Sequence, residues 1–376
     1  MRILHVISGM AKAAGTSVFC GEVLRQLASM GHDCRLLVKR RSDDFYPVGE
    51  RVRVFVGRMG AVSADGWRPE AVHIHALWDP WLMVAFLWAR ARRIPVVWSP
   101  HGMLAPWAMA HKRWKKVLPW WLYQRQGLRG ASLLHVTSGQ EAAWVRALGF
   151  KNKLVEVPLG TMPPSEIPKA SERRHIVLFV GRIYPVKGLD LLIRAWARLK
   201  QTGKNQDWHL VCVGPDQAGH MGELERLARD NGLVAKRTGI GRFGKADIIF
   251  TGPLYGSDKA CAYRLARLLV LPSYTENFGG VVPDALGFCL PVLASMATPW
   301  ACLRQWGCGD SFAVTEAALE GALERFFALS DSELDAMGLQ GRSFVLKRYV
   351  WPMVGKGMER AYWEMSASEA GKGRES

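Results

Sequence analysis

The chain has 376 residues, enough for two domains of ordinary size, and its 49% hydrophobic content can fill two cores. Its seven cysteines are scattered singly without a C-x-x-C pair, which argues against a disulfide framework or a zinc site and favours a reducing compartment. The net charge is +17, and residues 1–165 hold 23 Lys and Arg against 10 Asp and Glu. We therefore expect this half to meet an anionic partner: nucleic acid, acidic lipid or phosphorylated glycan.

The beginning of the chain predicts a strand rather than a secretory signal, because Met1-Arg2 leads directly into a short apolar run. The longest lipid-like stretch, Trp81 to Ala89, has about half the length that a bilayer span requires. We expect a protein that is soluble or that lies on a membrane without spanning it.

The amino-terminal half predicts a parallel sheet. A loop of small residues at 9–15 follows the first strand and leads into a helix that Thr16 or Ser17 could cap. Helical segments separate several of the apolar runs in this half, and such alternation is typical of a parallel sheet covered on both faces. The predicted strands are residues 2–8, 34–38, 72–75, 95–98 and 133–137.

A basic, aromatic segment begins just before the fourth of these strands and ends just before the fifth. Residues 90–129 contain nine cations and no acid, and within 108–126 five apolar side chains recur at helical spacing: Trp114, Val117, Leu118, Trp121 and Leu122. An amphipathic segment of this kind suits an anionic membrane interface, and the alternative is a core helix with a solvated basic flank. The predicted membrane patch is Lys112, Arg113, Trp114, Lys115, Lys116 and Trp121.

A second α/β pattern begins after a linker rich in Pro, Gly and Thr at 159–171. We predict an amino-terminal domain over 1–165, a carboxy-terminal domain over 166–345, and at 346–376 a helix that returns to the first domain, plus a frayed tail. Two doubly wound, Rossmann-like domains are expected to face a central cleft, which suits a nucleotide and a second substrate. The strands predicted in the second domain are 175–180, 208–213, 247–250, 268–271 and 291–294.

Two loops of the second domain contain residues suited to binding a diphosphate. The loop 181–188 follows a predicted strand and offers Arg182 and Lys187, five residues apart. The loop 272–280 follows another strand and contains Glu276 and a diglycine before a new helix, whose positive end favours phosphate. The alternative interpretations are two solvated loop cations and an ordinary strand-to-helix turn.

The pair Gly181-Arg182 and Lys187-Gly188, with Glu276 and a second acid eight positions later, resembles the donor site of family 4 retaining glycosyltransferases of GT-B fold. The resemblance extends over most of the chain through short motifs. The run 101–108, together with Thr298-Pro299-Trp300, resembles the bacterial members that build surface polysaccharide or lipopolysaccharide. The other motifs are the opening strand, Gly31-His32, Ser99 to Met103, Phe250 to Leu254 and Leu290 to Val292.

The resemblance implies a role for individual residues. His101 from the first domain is expected beside the transferred sugar, with Glu276, Arg182 and Lys187 as the other catalytic residues, and Gly15 and Thr16 form the expected acceptor or phosphate loop. His73 and His75 share one face of a strand, and we interpret them as rim or core residues, whereas His5 is interpreted as a core residue. The expected donor-binding residues are Gly181, Arg182, Lys187, Glu276, Phe278, Gly279, Gly280 and Asp284.

Three positions depart from the family pattern. Asp284 stands where the family has a glutamate that binds the ribose hydroxyls, and its side chain is shorter by one methylene. Ala13-Ala14-Gly15 replaces the Gly-Gly of the first loop, which leaves Gly15 and Thr16 as the expected anion contact. Cys289 occupies the usual glycine position before Leu290.

The sequence therefore predicts a retaining transferase that moves a hexose-type sugar from a nucleotide-diphosphate donor to a membrane-linked glycan. No metal or cofactor is expected, because no Asp-x-Asp motif is present, and the protein is placed on the cytoplasmic face of the membrane. An epimerase or phosphorylase of the same fold, or a basic nucleic-acid-binding protein, are the alternatives. The last is disfavoured because bulky apolar residues interrupt the basic patch and no nucleic-acid motif accompanies it.

Overall fold

The computed structural model describes residues 1–12, 14–204, 207–241 and 244–372, with side chains to residue 367. Fourteen strands are present in these ranges. The strands of the first sheet are β1 Arg2–Ile7, β2 Asp33–Val38, β3 Arg53–Val56, β4 Ala71–His75, β5 Val96–Ser99, β6 Leu133–Val136 and β7 Lys153–Glu156. Those of the second sheet are β8 Ile176–Val180, β9 His209–Val213, β10 Ala235–Arg237, β11 Ile248–Gly252, β12 Leu268–Leu271, β13 Val292–Ser295 and β14 Gly309–Phe312.

The helices of the same ranges alternate with the strands. Those of the first half are α1 Gly15–Ser29, α2 Pro80–Ala91, α3 Pro106–Ala110, α4 Trp114–Pro119, α5 Arg125–Gly130 and α6 Gly139–Ala147. Those that follow are α7 Leu189–Gln201, α8 His220–Asp230, α9 Gly256–Leu265, α10 Val281–Gly287, α11 Glu316–Phe327, α12 Asp331–Arg348 and α13 Trp351–Lys372. No described helix is long and apolar enough to cross a membrane.

The chain divides into two compact units. Unit 1 comprises residues 1–160 together with the helix that begins at Trp351, and unit 2 comprises residues 161–350. The boundaries predicted from sequence stand at 165/166 and 345/346. In the structure, Thr161 and Val350, the first and last residues of unit 2, form a parallel bridge.

Unit 1 is a seven-stranded parallel sheet in the order β3-β2-β1-β4-β5-β6-β7. One face packs on α1 and α13, and its buried core includes Val23, Leu24, Met358 and Tyr362. The other face packs on α2 and the segment after β5. Both faces are therefore covered, as in other parallel sheets built from βαβ units.

Unit 2 repeats this design with the order β10-β11-β9-β8-β12-β13-β14, all parallel. Its core is centred on α7, whose residues Leu189, Leu192, Ile193 and Trp196 are fully buried as the helical spacing predicts. The prediction of two doubly wound α/β domains is confirmed.

One local prediction was wrong. Thr16 and Ser17 do not cap α1, because the helix already begins at Gly15 and its cap, Ala14, has no side-chain hydrogen bond. Ala13, part of the altered first-loop motif, lies outside the described residues. The segment 108–126 is not one continuous helix. Lys112, with φ of +50°, separates α3 from α4, and a π-helical turn at Trp120–Gln124 follows Pro119, which lacks an N–H group.

Candidate active site

In both units, successive strands are added first on one side of the first strand and then on its other side. The switch point lies between the first strand and its neighbour on that other side. In unit 2 these neighbours are β8 and β12, and the loops 181–188 and 272–280 follow them directly. In sheets of this kind, ligands bind outside the carboxyl ends of the strands at this switch point. The topology therefore brings together the two loops that the sequence selected from separate motifs.

Lys187 and Glu276 form a direct ion pair across the two loops. The Lys187 ammonium donates to Oε1 of Glu276, and both side chains are largely buried, at 17% and 11% exposure. The Ser273 hydroxyl donates to the same carboxylate oxygen at 2.9 Å. An ion pair of this kind fixes an acidic and a basic group side by side, each with hydrogen-bonding capacity left for a ligand.

The backbone ties these two loops together at a second place. The Tyr274 N–H donates to the Val186 carbonyl at 2.9 Å, and Gly188 adopts a left-handed φ of +68° against Pro272. A Cβ at Gly188 would lie 2.1 Å from the Pro272 oxygen, so only glycine fits. The position of Lys187 relative to Glu276 is thus fixed by the fold and not by side chains alone.

Asp284 lies in α10, and both of its carboxylate oxygens are engaged. Thr161 donates to Oδ1 at 2.6 Å and Lys259 contacts Oδ2 at 2.9 Å. The structure therefore places this acid in a small network of its own, apart from the Lys187–Glu276 pair. Neither Thr161 nor Lys259 could be predicted from the sequence as a partner of Asp284, because each lies far from it along the chain.

Arg182 is exposed, and its guanidinium donates to Gln217 Oε1 at 2.7 Å. The two predicted phosphate-binding cations therefore differ: Lys187 is held by an acid, whereas Arg182 contacts a neutral amide. Among the described residues no acid pairs with Arg182, so its charge is available for an anion.

The segment that precedes α10 offers backbone donors. The N–H groups of Phe278, Gly279 and Gly280 have no acceptor among the described residues, and Gly279 has a φ of +78°. The Phe278 ring is buried against Trp300 and Tyr349, and Trp300 donates its indole N–H to the Phe278 carbonyl. This packing fixes the segment while its amide groups remain open to a ligand.

In unit 1, His101 follows β5 in a left-handed conformation with φ of +52°, which is uncommon for a side chain other than glycine. Its Nε2 lies 3.0 Å from Nδ1 of His75, and its ring packs against Phe19 of α1. Gly15 and Thr16 form the first turn of α1, at the carboxyl end of β1. Gly15, Thr16 and His101, the residues of unit 1 to which the family resemblance assigns a role, thus belong to neighbouring elements at one end of this sheet.

Burial lowers the pKa of the histidines around His101. His5, His73, His75 and His135 are fully buried, which confirms the reading of the first three as core residues. Burial lowers the pKa of His5 and of His101 to about 3 and that of His135 to about 4. Among the described residues, nitrogens of His5, His73 and His75 lie within 4.8 Å of one another, a spacing that could hold a metal ion.

Glu141 is a buried residue of this site that the sequence analysis missed. Its Oε1 accepts the Gly102 N–H at 2.5 Å, and its Oε2 accepts the N–H and hydroxyl of Thr137. It therefore holds the backbone next to His101. A capping serine three residues earlier, Ser138, was the only local signal for this helix start.

The basic segment after β5 exposes its apolar side chains. Trp114 is 76% exposed, Leu118 65% and Trp121 61%, so the stripe does not belong to the core. Lys115 lies over the Trp114 ring at 4.9 Å. Lys116 differs from the other cations, because its ammonium donates to the carbonyls of Ala108 and His111 and burial lowers its pKa.

Family comparisons identify the class of protein. Residues 174–322 match the family described as glycosyl transferases group 1, and residues 14–160 match the glycosyl transferase 4-like domain. Together these matches cover most of the chain and nearly the whole of each sheet. The protein is a glycosyltransferase with two Rossmann-like domains of the GT-B type.

Individual relatives agree with this class. The chain is 28% identical to a D-inositol 3-phosphate glycosyltransferase of Kineococcus radiotolerans over 336 residues, which cover 76% of this chain and 74% of the relative. The structure of Anabaena HepE in complex with UDP and glucose has a TM-score of 0.72 at 16% identity, covering 97% of this chain and all of the other. WaaG, a glycosyltransferase involved in lipopolysaccharide biosynthesis, has a TM-score of 0.70 at 16% identity, with 96% and 98% covered. At such identities the two structures establish the fold alone.

Proposed function

We propose that the protein is a retaining glycosyltransferase that transfers a hexose from a nucleoside-diphosphate donor to a membrane-linked glycan in bacterial surface-polysaccharide or lipopolysaccharide synthesis. The observation that carries the donor assignment is the Lys187–Glu276 pair at the switch point of unit 2. The HepE structure, which has this fold, contains UDP and glucose. A uridine nucleotide is therefore the first donor to test.

In this proposal, Arg182, Lys187 and the open N–H groups of Phe278 to Gly280 bind the diphosphate. Their charges stabilise the negative charge that develops on the diphosphate as the glycosidic bond breaks. Glu276 contacts the sugar, and its charge is balanced by Lys187. Asp284, with Thr161 and Lys259, supports the nucleoside.

The stereochemistry is proposed to be retention by front-face displacement. No second carboxylate was found in the sequence at a spacing that suits a nucleophile and acid pair, and Glu276 is already paired with a lysine. The departing phosphate would take the acceptor proton, so that the new bond forms on the face from which the diphosphate leaves. Catalysis is then mainly electrostatic.

The membrane-linked acceptor is supported by the exposed stripe after β5. Trp114, Leu118, Trp121 and Leu122 present apolar area beside Lys112, Arg113 and Lys115. Aromatic and cationic side chains in this combination favour the interface of an anionic membrane. We place the enzyme at the cytoplasmic face of the membrane, where sugar nucleotides are available.

A phosphorylated polyol is the competing acceptor, because the relative from Kineococcus radiotolerans is a D-inositol 3-phosphate glycosyltransferase. The experiment compares the two directly. The protein is incubated with UDP-hexoses and either a lipid-linked glycan or D-inositol 3-phosphate, and products are identified by mass spectrometry. Product with the lipid-linked glycan and retained anomeric configuration supports the proposal, whereas product with inositol phosphate alone contradicts the acceptor assignment.

The same assay separates the enzyme classes. A transferase releases nucleotide in proportion to the glycosylated acceptor. Conversion of the sugar nucleotide to an isomer without acceptor would identify an epimerase, and phosphate-dependent cleavage of a glycan would identify a phosphorylase. Either result would contradict the proposed function.

A further inference from the structure

A continuous series of hydrogen bonds runs through the core of unit 1, from His101 to a backbone carbonyl. Its seven contacts measure between 2.6 and 3.2 Å. Its members come from four strands, two loops and α13. We call this series the histidine relay, and in order its members are His101, His75, His5, Tyr362, His73, Ser99, His135 and the Val157 carbonyl.

The carbonyl sets the direction of every bond in the relay, because it can only accept. Nε2 of His135 must donate to Val157, so Nδ1 of His135 accepts from the Ser99 hydroxyl. The Ser99 oxygen then accepts from Nε2 of His73. A neutral imidazole has one N–H group, so each ring that donates from Nε2 must accept at Nδ1.

The same rule continues to the other end. Nδ1 of His73 accepts from the Tyr362 hydroxyl, and the Tyr362 oxygen accepts from Nε2 of His5. Nδ1 of His5 accepts from Nε2 of His75, and Nδ1 of His75 accepts from Nε2 of His101. All five imidazoles are therefore Nε2–H tautomers, and the tautomer of His101 is decided by a carbonyl six side chains away.

This conclusion requires neutral rings, since an imidazolium donates from both nitrogens and would interrupt the series. Burial supplies that condition, because it lowers the pKa of each of the five histidines. Cys20 Sγ lies 3.9 Å from Nδ1 of His5 and, as a buried thiol, can only add a second weak donor to that acceptor. No contact of the relay opposes the assigned direction.

The relay leaves one nitrogen with an open lone pair. Nδ1 of His101 makes no hydrogen bond to any part of the chain that the structure describes, whereas Nε2 is committed to His75. The His101 backbone is fixed independently by its left-handed φ and by the Gly102–Glu141 contact. His101 therefore presents an acceptor, not a donor, in a fixed orientation.

We propose that the histidine relay is a positioning device that holds His101 as a hydrogen-bond acceptor for a hydroxyl group of the sugar substrate. The inference rests on the proposed function and on the family resemblance, which implies that the transferred sugar lies beside His101. Tyr362, Ser99 and His135 are positioning residues in this account, since they act on the substrate only through His101. A hydroxyl group that donates a hydrogen bond to His101 would be selected, and a substrate group that can only accept a hydrogen bond would be rejected.

A bound metal ion is the competing use of His5, His73 and His75. Every ring nitrogen of these three histidines already has a partner within the relay. A metal would have to replace several of these bonds, so the hydrogen-bonded arrangement is favoured. Metal analysis of the purified protein is included in the test, and one tightly bound metal ion per chain would overturn the relay.

The experiment reads the tautomers directly, without substrate. In protein labelled with nitrogen-15 at histidine, the two ring nitrogens have different chemical shifts according to which one holds the proton, and His101→Asn assigns the His101 signals. We expect His101 as the Nε2–H form in the wild-type protein. In Tyr362→Phe the three histidines from His5 to His101 lose their anchor and can reverse direction, so both His101 tautomers should appear.

The control is Tyr46→Phe, which removes a hydroxyl from the same unit but outside the relay, where Tyr46 donates to Glu22. It should leave the His101 tautomer unchanged. If Tyr362→Phe does not fold, Ser99→Ala interrupts the relay at another contact and should give the same mixture. Wild-type His101 protonated at Nδ1, or an unchanged tautomer in the relay variants, would overturn the proposal.

A second readout connects the relay to substrate. Wild type should lose at least tenfold in kcat/KM with the deoxy-sugar that lacks the selected hydroxyl, and Tyr362→Phe should lose clearly less than that. An undiminished loss in Tyr362→Phe would overturn the substrate role of the relay. Because the tautomers are measured without turnover, failure to transfer any sugar would contradict the proposed function and leave the tautomer result standing on its own.

Discussion

At the scale of single residues, Glu276 and Asp284 of unit 2 are expected to have different roles. Glu276→Gln should reduce kcat by more than tenfold, because it removes the charge that Lys187 balances beside the sugar. Asp284→Glu should mainly weaken nucleotide affinity, because a longer side chain disturbs the contacts with Thr161 and Lys259. Steady-state kinetics and nucleotide titration on both variants check this. An inactive Asp284→Glu beside an active Glu276→Gln would reverse the assigned roles.

Gly188 provides a prediction about stability. In Gly188→Ala, the new methyl group meets the Pro272 carbonyl and the backbone is left-handed, so the loops that hold Lys187 and Glu276 must separate. We expect a loss of about 2–4 kcal/mol in the free energy of unfolding of unit 2. Denaturant unfolding measures it.

Gly222→Ala is the matched control for this change. Gly222 lies in α8 with nothing within 4 Å of an added Cβ, and alanine favours helix over glycine by about 1 kcal/mol. The control should be neutral or stabilising. Equal stability of the two variants would contradict the proposed packing of Gly188 on Pro272.

The positions of Lys187, Glu276 and Asp284 beyond the ends of two strands were largely predictable, because each residue lies in a compact motif that follows a strand. Their partners were not. Thr161 and Lys259 are 123 and 25 residues away from Asp284, and no local pattern connects them. The histidine relay was missed for the same reason, although His73-Ile74-His75 correctly predicted that the two rings share one face.

At the scale of elements, every strand in the interior of the two sheets was predicted to within about two residues at either end. The four strands that were missed, β3, β7, β10 and β14, are the two edges of each sheet. Edge strands are covered less completely: β3 and β7 have exposed ends and half-buried centres, and β10 is exposed at two of its three residues. A search for apolar runs therefore finds the interior of a parallel sheet more readily than its edges.

The buried histidines predict how the stability of unit 1 depends on pH. Their pKa values are lowered in the folded state, so the unfolded chain binds more protons as the pH falls below about 6.5. Stability is therefore present at neutral pH and lost toward pH 5. Each such histidine contributes a slope of at most about 1.4 kcal/mol per pH unit.

Unfolding of unit 1 between pH 7 and pH 5 measures this slope. His135→Gln should reduce this slope by the contribution of one histidine, which is at most about 1.4 kcal/mol per pH unit. Leu24→Ala, which removes a fully buried side chain from the same unit, should lower stability equally at each pH and leave the slope unchanged. A wild-type stability that does not depend on pH in this range would contradict the buried neutral state of the histidines.

At the scale of the whole molecule, the excess positive charge of the first 165 residues and the exposed stripe after β5 predict binding to anionic vesicles. Salt should weaken this binding without abolishing it, because the apolar contribution is not screened. Replacing Lys112, Arg113 and Lys115 with glutamine should release the protein from anionic vesicles in co-sedimentation and spare turnover on a short soluble acceptor.

Lys116→Gln provides the comparison for that experiment. Its ammonium is bound to the Ala108 and His111 carbonyls, so this change should lower local stability and have little effect on vesicle binding. Equal sedimentation of the wild-type and triple variant would mean that the cations only solvate the surface.

The central claim is that the loops after β8 and β12 bind the diphosphate of a sugar nucleotide through Lys187. Calorimetric titration with UDP tests it most directly, using wild type, Lys187→Ala and a matched control. The control is Lys200→Ala, which removes a lysine that is paired with Asp247 in the same unit. Asp247 immediately precedes β11, so this pair lies at the amino ends of the strands, opposite the loops that hold Lys187 and Glu276. The account predicts UDP binding by wild type and by Lys200→Ala, and at least tenfold weaker binding by Lys187→Ala, as expected for the loss of a charge-assisted contact of about 1.5–3 kcal/mol. Equal affinity of Lys187→Ala and wild type for UDP would contradict it.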